Sequence, residues 1–131
     1  MELQLKIIGI LLIFLALLHW TFPRYFKWRQ ELSSLSLVNR QLMYVHTFFI
    51  AFMVFLMGLL CFSSAAELLN TPLGKRVLLV FGIFWIVRLF IQFFGYSSKL
   101  WKGKRFETTM HILFSIFWFY LSSVFVIAYL N

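Results

Sequence analysis

The segment from Val77 to Tyr96, VLLVFGIFWIVRLFIQFFGY, is long and apolar enough to cross a bilayer, yet it carries Arg88 and Gln92. Hydrocarbon offers no partner to backbone N–H and C=O groups, so a run of this kind folds as a helix that satisfies them internally. A guanidinium within it costs at least about 2.5–3.5 kcal/mol on insertion scales, and it therefore needs a partner, a route to water or a role. Two readings of Arg88 follow. Either it snorkels to lipid phosphates, or it points inward to an anionic group on a ligand or to Glu107.

The rest of the chain repeats the pattern. Apolar runs at residues 3–20, 42–62 and 108–130 join the one at 77–95, and the connections between them are too short to hold a soluble domain. Of the 131 residues, 63% are hydrophobic and only 12% charged, where a soluble domain would carry about a quarter charged. The fold class expected is an all-α integral membrane protein. It forms one domain over 1–131, a four-transmembrane-helix up-and-down bundle with sequential spans as neighbours. The membrane is a cell membrane, with a bacterial inner membrane as the reading adopted.

The first run lacks a small-x-small cleavage pattern and ends in Leu17, Leu18, His19 and Trp20, so it reads as a retained span rather than a signal peptide. Pro23 is expected to stop its helix. Tyr25, Phe26 and Trp28 then alternate with Arg24, Lys27 and Arg29, the composition of a collar lying among headgroups. Ser36 or Asn39 is available as the N-cap of the second span. Ser64 and Glu67 have capping-box spacing, predicting an interfacial turn over 65–69, and Thr71 followed by Pro72 opens the third span.

The net charge of +8 is carried by these connections, which points to topology and anionic lipid rather than to nucleic acid. Arg24, Lys27, Arg29 and Arg40 border the first loop and Lys99, Lys102, Lys104 and Arg105 the third, against Lys75 and Arg76 in the second. The positive-inside rule then puts loops one and three in the cytoplasm and both termini outside. The single cysteine, Cys61, excludes an intrachain disulfide and reads as a small apolar residue.

Depth brings the polar residues together. With a rise of about 1.5 Å per residue, His19, His46, Arg88, Gln92 and His111 all fall in the cytoplasmic leaflet. Helical spacing groups Trp85, Arg88 and Gln92 on one stripe. Glu107, His111, Ser115, Trp118 and Ser122 form a second, and Met43, His46, Ile50, Met53 and Met57 a third. These faces are expected to turn inward, with packing tightest on the cytoplasmic side. A weak two-fold hairpin pseudo-repeat also shows, since Arg40 precedes His46 by six residues as Arg105 precedes His111.

Three function classes fit this pattern. In the first, His46 and His111 ligate a haem or a transition metal, and His19, Arg88 and Gln92 surround it or hold a propionate or quinone headgroup. In the second, the chain is a small carrier, for example of Cu(I), with Met53 and Met57 as thioether ligands. In the third, it is an accessory subunit that binds another membrane protein or itself, its 18 phenylalanines covering lipid or protein. There is no Gly-rich phosphate loop, no nucleophile constellation and no pair of intramembrane carboxylates, so hydrolysis and carboxylate-relay proton pumping are not expected. An enzymatic role is the weaker expectation.

Overall fold

The computed structural model describes residues 1–95 and 103–131, and the described residues are helical almost throughout, with no strand among them. Four helical stretches, Glu2–Tyr25, Leu37–Ser63, Pro72–Gly95 and Arg105–Leu130, are each long and apolar enough to cross a membrane. Phenylalanines such as Phe14, Phe49, Phe94 and Phe119 are left exposed along them. So much outward aromatic surface suits hydrocarbon and not water. The chain is a small multi-pass membrane protein. It divides into two compact units, residues 3–65 and residues 66–131 together with 1–2.

In the first unit α1 (Glu2–Leu18) lies antiparallel to α4 (Leu37–Ser63). Buried Leu5, Ile8, Leu12 and Leu15 fall at spacings of three and four on α1, opposite Val54, Met57 and Cys61 on α4. The helices meet backbone to backbone at Gly9 and Gly58. A Cβ on Gly9 would stand 2.6 Å from the Gly58 carbonyl oxygen and 2.7 Å from the Phe62 nitrogen. Small residues of this kind let helices approach in lipid until dispersion and Cα–H···O contacts hold them.

Pro23 acts differently from expectation. The helix does not stop there: a 3₁₀ turn, His19–Thr21, tightens it, and α2 (Phe22–Tyr25) continues with the proline in its first turn. Proline has no N–H for the His19 carbonyl, so Phe22 donates to it instead at the shorter 3₁₀ spacing. Lys27, at φ 53, breaks the chain before α3 (Trp28–Glu31). Trp28 of α3 is buried and meets Tyr44 of α4 edge to face, ring centroids 5.3 Å apart, which pins the collar to the hairpin.

Helix α4 begins five residues before the apolar run because Ser36 caps it, its hydroxyl accepting from the Asn39 N–H. Its buried face is set by Val54, Met57, Gly58 and Cys61; of the stripe expected inward, Met57 is buried, whereas Met43, Ile50 and Met53 are exposed. Glycine decides this, because only the Gly58 face allows the backbones to touch. For the same reason the closest packing of this unit lies at the end remote from the collar, not beside it.

The boundary between the units falls at the start of α5 (Ala65–Asn70), whose last turn folds directly against α6 (Pro72–Phe90) in the second unit. Thr71 caps α6, accepting from the Gly74 N–H at 2.9 Å while its hydroxyl donates to the Glu67 carbonyl. A Cβ on Gly74 would come within 2.5 Å of that same carbonyl. Helix α6 packs antiparallel on α7 (Arg105–Leu130) through Leu78, Gly82 and Trp85 against Trp118, Leu121 and Phe125. At one end Lys75 Nζ donates to the Ala128 carbonyl at 2.8 Å, a cation on the C-terminal turn of α7. The basic loop before α7 carries Lys99, Trp101 and Lys102, which lie outside the described residues.

Candidate functional site

At the other end of the second unit the last turn of the third span opens into a π-helical turn, Ile91–Gly95. Such turns carry one residue more than an α-turn and recur where a side chain is re-aimed for a purpose. Here the turn holds Gln92, which is 7% exposed, a polar side chain sunk in an aromatic cluster. Its amide is the hub of a hydrogen-bond network.

The donors around Gln92 fix its orientation. Trp118 Nε1 stands 3.2 Å from one arm of the amide, and an indole nitrogen can only donate, so that arm is Oε1. The other arm, Nε2, is then 2.9 Å from His111 Nδ1. An amide nitrogen also only donates, so Nδ1 accepts and the hydrogen of the neutral ring resides on Nε2. One buried tryptophan thereby sets the tautomer of a histidine that it does not touch through a polar atom.

Arg88, one turn before Gln92, joins the same hub. Its guanidinium lies 5.0 Å above the Trp118 ring and one of its nitrogens donates to Gln92 Oε1 at 3.4 Å. The cation therefore rests on an indole face and an amide dipole, both of which offset part of its cost in a membrane. Trp118 is stacked in turn on Trp85, at 5.1 Å and 13°, and on Phe114, at 5.5 Å and 21°. Trp85 and Trp118 are buried, Arg88 and His111 half-buried, so the polar groups sit at the edge of a closed aromatic stack.

Two serine hydroxyls of α7 near the cluster are used locally. Ser115 donates to the His111 carbonyl and Ser122 to that of Trp118, each within one turn of its own helix. Glu107, which the sequence placed at the mouth of the layer, is exposed.

The two other histidines belong to the first unit. His19 Nδ1 bonds the Leu15 carbonyl at 2.9 Å and His46 Nδ1 the Leu42 carbonyl at 2.8 Å, so in both the hydrogen sits on Nδ1. His46 is exposed, and the ring of His19 packs 4.7 Å from that of Phe22. Of the five residues expected in one layer, Arg88, Gln92 and His111 are bonded together in the second unit, while His19 and His46 each bond their own helix in the first. Among the described residues no three histidine, cysteine, aspartate or glutamate side chains gather closely enough to hold a metal ion.

Sequence reasoning placed Trp118 on the right stripe without a role. The available signal was the demand of a buried indole N–H for an acceptor, which Gln92, one turn past Arg88, could meet. Arg40, which the sequence marked only as a loop cation and a member of the weak repeat, has its Nε enclosed without a hydrogen-bond partner. Comparison with known proteins finds no family model, no curated protein and no solved structure that matches the chain.

Proposed function

We propose that this protein binds a membrane-dissolved molecule through acceptor oxygens, a quinone-type headgroup, at the Arg88–Gln92–His111 cluster. The observation that carries the proposal is the bond from Gln92 to His111 Nδ1, which makes the far side of the imidazole a donor. A ligand for haem iron or copper must offer a lone pair, and the nitrogen that a metal would take carries a hydrogen in this tautomer. Arg88 is a donor in every state. Two donors beside a stack of Trp85, Phe114 and Trp118 match a flat ring that bears carbonyl oxygens. No observation favours the Cu(I) carrier, and none favours haem or a metal on His46 and His111.

Orientation belongs to the same proposal. With loops one and three in the cytoplasm, the cluster lies in the cytoplasmic leaflet and both termini face outward. The headgroup would then sit near that interface with its tail in the bilayer.

The test uses tryptophan fluorescence, because Trp85 and Trp118 form the wall of the site and quinones quench indoles. Titration of the purified protein with a short-chain ubiquinone analogue in detergent is expected to give saturable quenching. His111→Phe should weaken the affinity at least tenfold, the loss of about one good hydrogen bond. Met53→Leu, on an exposed face of α4, should leave it unchanged. Quenching that never saturates, or that is the same in His111→Phe, overturns the reading. A Soret band with stoichiometric iron would replace it with haem.

A further inference from the structure

The first unit carries a groove that the quinone reading does not use. It has a volume of about 360 Å³ and runs along the unit from the turn at His19, Trp20 and Pro23 to Phe52 and Phe55. Its floor is Ala16 and Ala51, and its walls are aromatic: Trp20, Tyr44, Phe48, Phe52 and Phe55. The small floor residues make room between the helices, and the lining is mostly apolar, with His19, Tyr44 and Thr47 as its polar-bearing members. A linear hydrocarbon chain fits such a space.

What lies at the collar end of the groove gives the occupant its headgroup. Tyr44, Thr47, Ala51 and Phe55 line the groove from α4, and Arg40 is the residue one turn below Tyr44 on that stripe. Its Nε is enclosed with no hydrogen-bond partner. Arg40 as a whole is half-buried, so with Nε closed off the guanidinium can meet an acceptor from outside only through its terminal nitrogens. The collar sequence between α1 and α4 adds Arg24, Lys27 and Arg29, with Glu31 as the acid of the same stretch. The charge is therefore complementary to an anion, and the anion must be joined to an apolar chain.

We infer that this groove is a specific site for one anionic phospholipid, with an acyl chain between α1 and α4 and the phosphate on Arg40. A phosphodiester suits arginine because two of its oxygens can accept from the two terminal nitrogens side by side. Zwitterionic lipids share the phosphate but add a cation that the collar repels. A protein helix or a second copy of this chain would close the groove to lipid, and the experiment below separates those cases.

The exposed Trp20 in the wall reports on occupancy. The protein is reconstituted in nanodiscs of phosphatidylcholine that contain either brominated phosphatidylglycerol or brominated phosphatidylcholine, and the fluorescence lost in wild type but not in Trp20→Phe is followed. Brominated phosphatidylglycerol is expected to quench at about fivefold lower mole fraction, the factor for one basic side chain at an anionic surface. Arg40→Gln should remove that preference and leave the quenching by brominated phosphatidylcholine. Ala51→Phe, which fills the floor, should reduce quenching by both lipids together. Equal quenching by the two lipids in wild type overturns the inference, as does a preference that survives Arg40→Gln. Trp20 emission untouched by either lipid overturns it as well, and means that protein covers the groove. The wild-type comparison alone decides if a variant fails to fold, and none of these outcomes depends on whether a quinone binds the second unit.

Discussion

The two units solve the problem of holding helices together in lipid by different means. In the first, α1 and α4 touch at Gly9 and Gly58, and its histidines each bond a carbonyl of their own helix. In the second, α6 and α7 are bridged by a buried amide that receives from Trp118 and gives to His111. Hydrophobic burial does not distinguish the associated from the separated state in hydrocarbon, so only close packing and polar bonds can. One unit uses the former and the other the latter. The consequence is that the first unit tolerates changes to its polar groups, and the second should not.

The largest effect is expected where the polar solution is removed. Gln92→Leu takes the acceptor from Trp118 and the donor from His111 Nδ1 at once. An orphaned buried group costs about 1–3 kcal/mol, so a loss of about 3 kcal/mol is expected, visible as a marked fall in the unfolding temperature in detergent. Red-shifted emission from Trp118 should accompany it. A variant as stable as the parent would mean that the network forms at no advantage over apolar packing and would erase the contrast between the units.

Next in size is the apolar solution. Gly9→Ala puts a Cβ 2.6 Å from the Gly58 carbonyl oxygen, and backbone cannot give way without parting the helices. A cost of about 1–3 kcal/mol is expected. Gly82→Ala is the control within the second unit, because the nearest atom to a Cβ there is Val126 Cγ2 at 3.4 Å, a side-chain methyl in ordinary contact. It should be neutral or slightly stabilising, since alanine is the better helix former. Equal losses at both positions in thermal unfolding would show that the second unit also depends on glycine packing.

Much of this contrast was legible from spacing. Thr71 and Pro72 gave the start of α6, and Trp85, Arg88 and Gln92 were found on one stripe by their separations of three and four. The residues of α7 that meet them, His111 and Trp118, fell on a second stripe by the same rule. What spacing did not reveal was the π turn, since a widened turn is a response to tertiary packing and leaves no fixed residue pattern. The inward face of α4 was misjudged because methionines and a histidine were weighed as the informative residues, whereas Gly58 carried the geometry. Depth grouped five polar residues, but depth alone says nothing about which helix a side chain turns toward, and His19 and His46 turn to their own.

The smallest effect on stability, and the one with the most information, is expected at Arg88. Its loss forfeits a cation–π contact of about 0.5–2 kcal/mol and a long hydrogen bond to Gln92. The same change removes an insertion cost of about 2.5–3.5 kcal/mol, much of which its half-buried position and the indole face already relieve. The two sides nearly cancel, and Arg88→Leu should unfold within about 1 kcal/mol of the parent. Binding is another matter. If Arg88 holds an acceptor oxygen of the headgroup, Arg88→Leu should weaken the quinone analogue about tenfold or more while the protein remains folded. Arg88→Lys should fall between, because an ammonium keeps the charge but cannot lie flat on Trp118 and reach the amide together. A leucine variant that binds as well as the parent would reduce Arg88 to a membrane anchor. One that unfolds as readily as Gln92→Leu would instead place the cation inside the polar scaffold, joining it to the network that separates the second unit from the first.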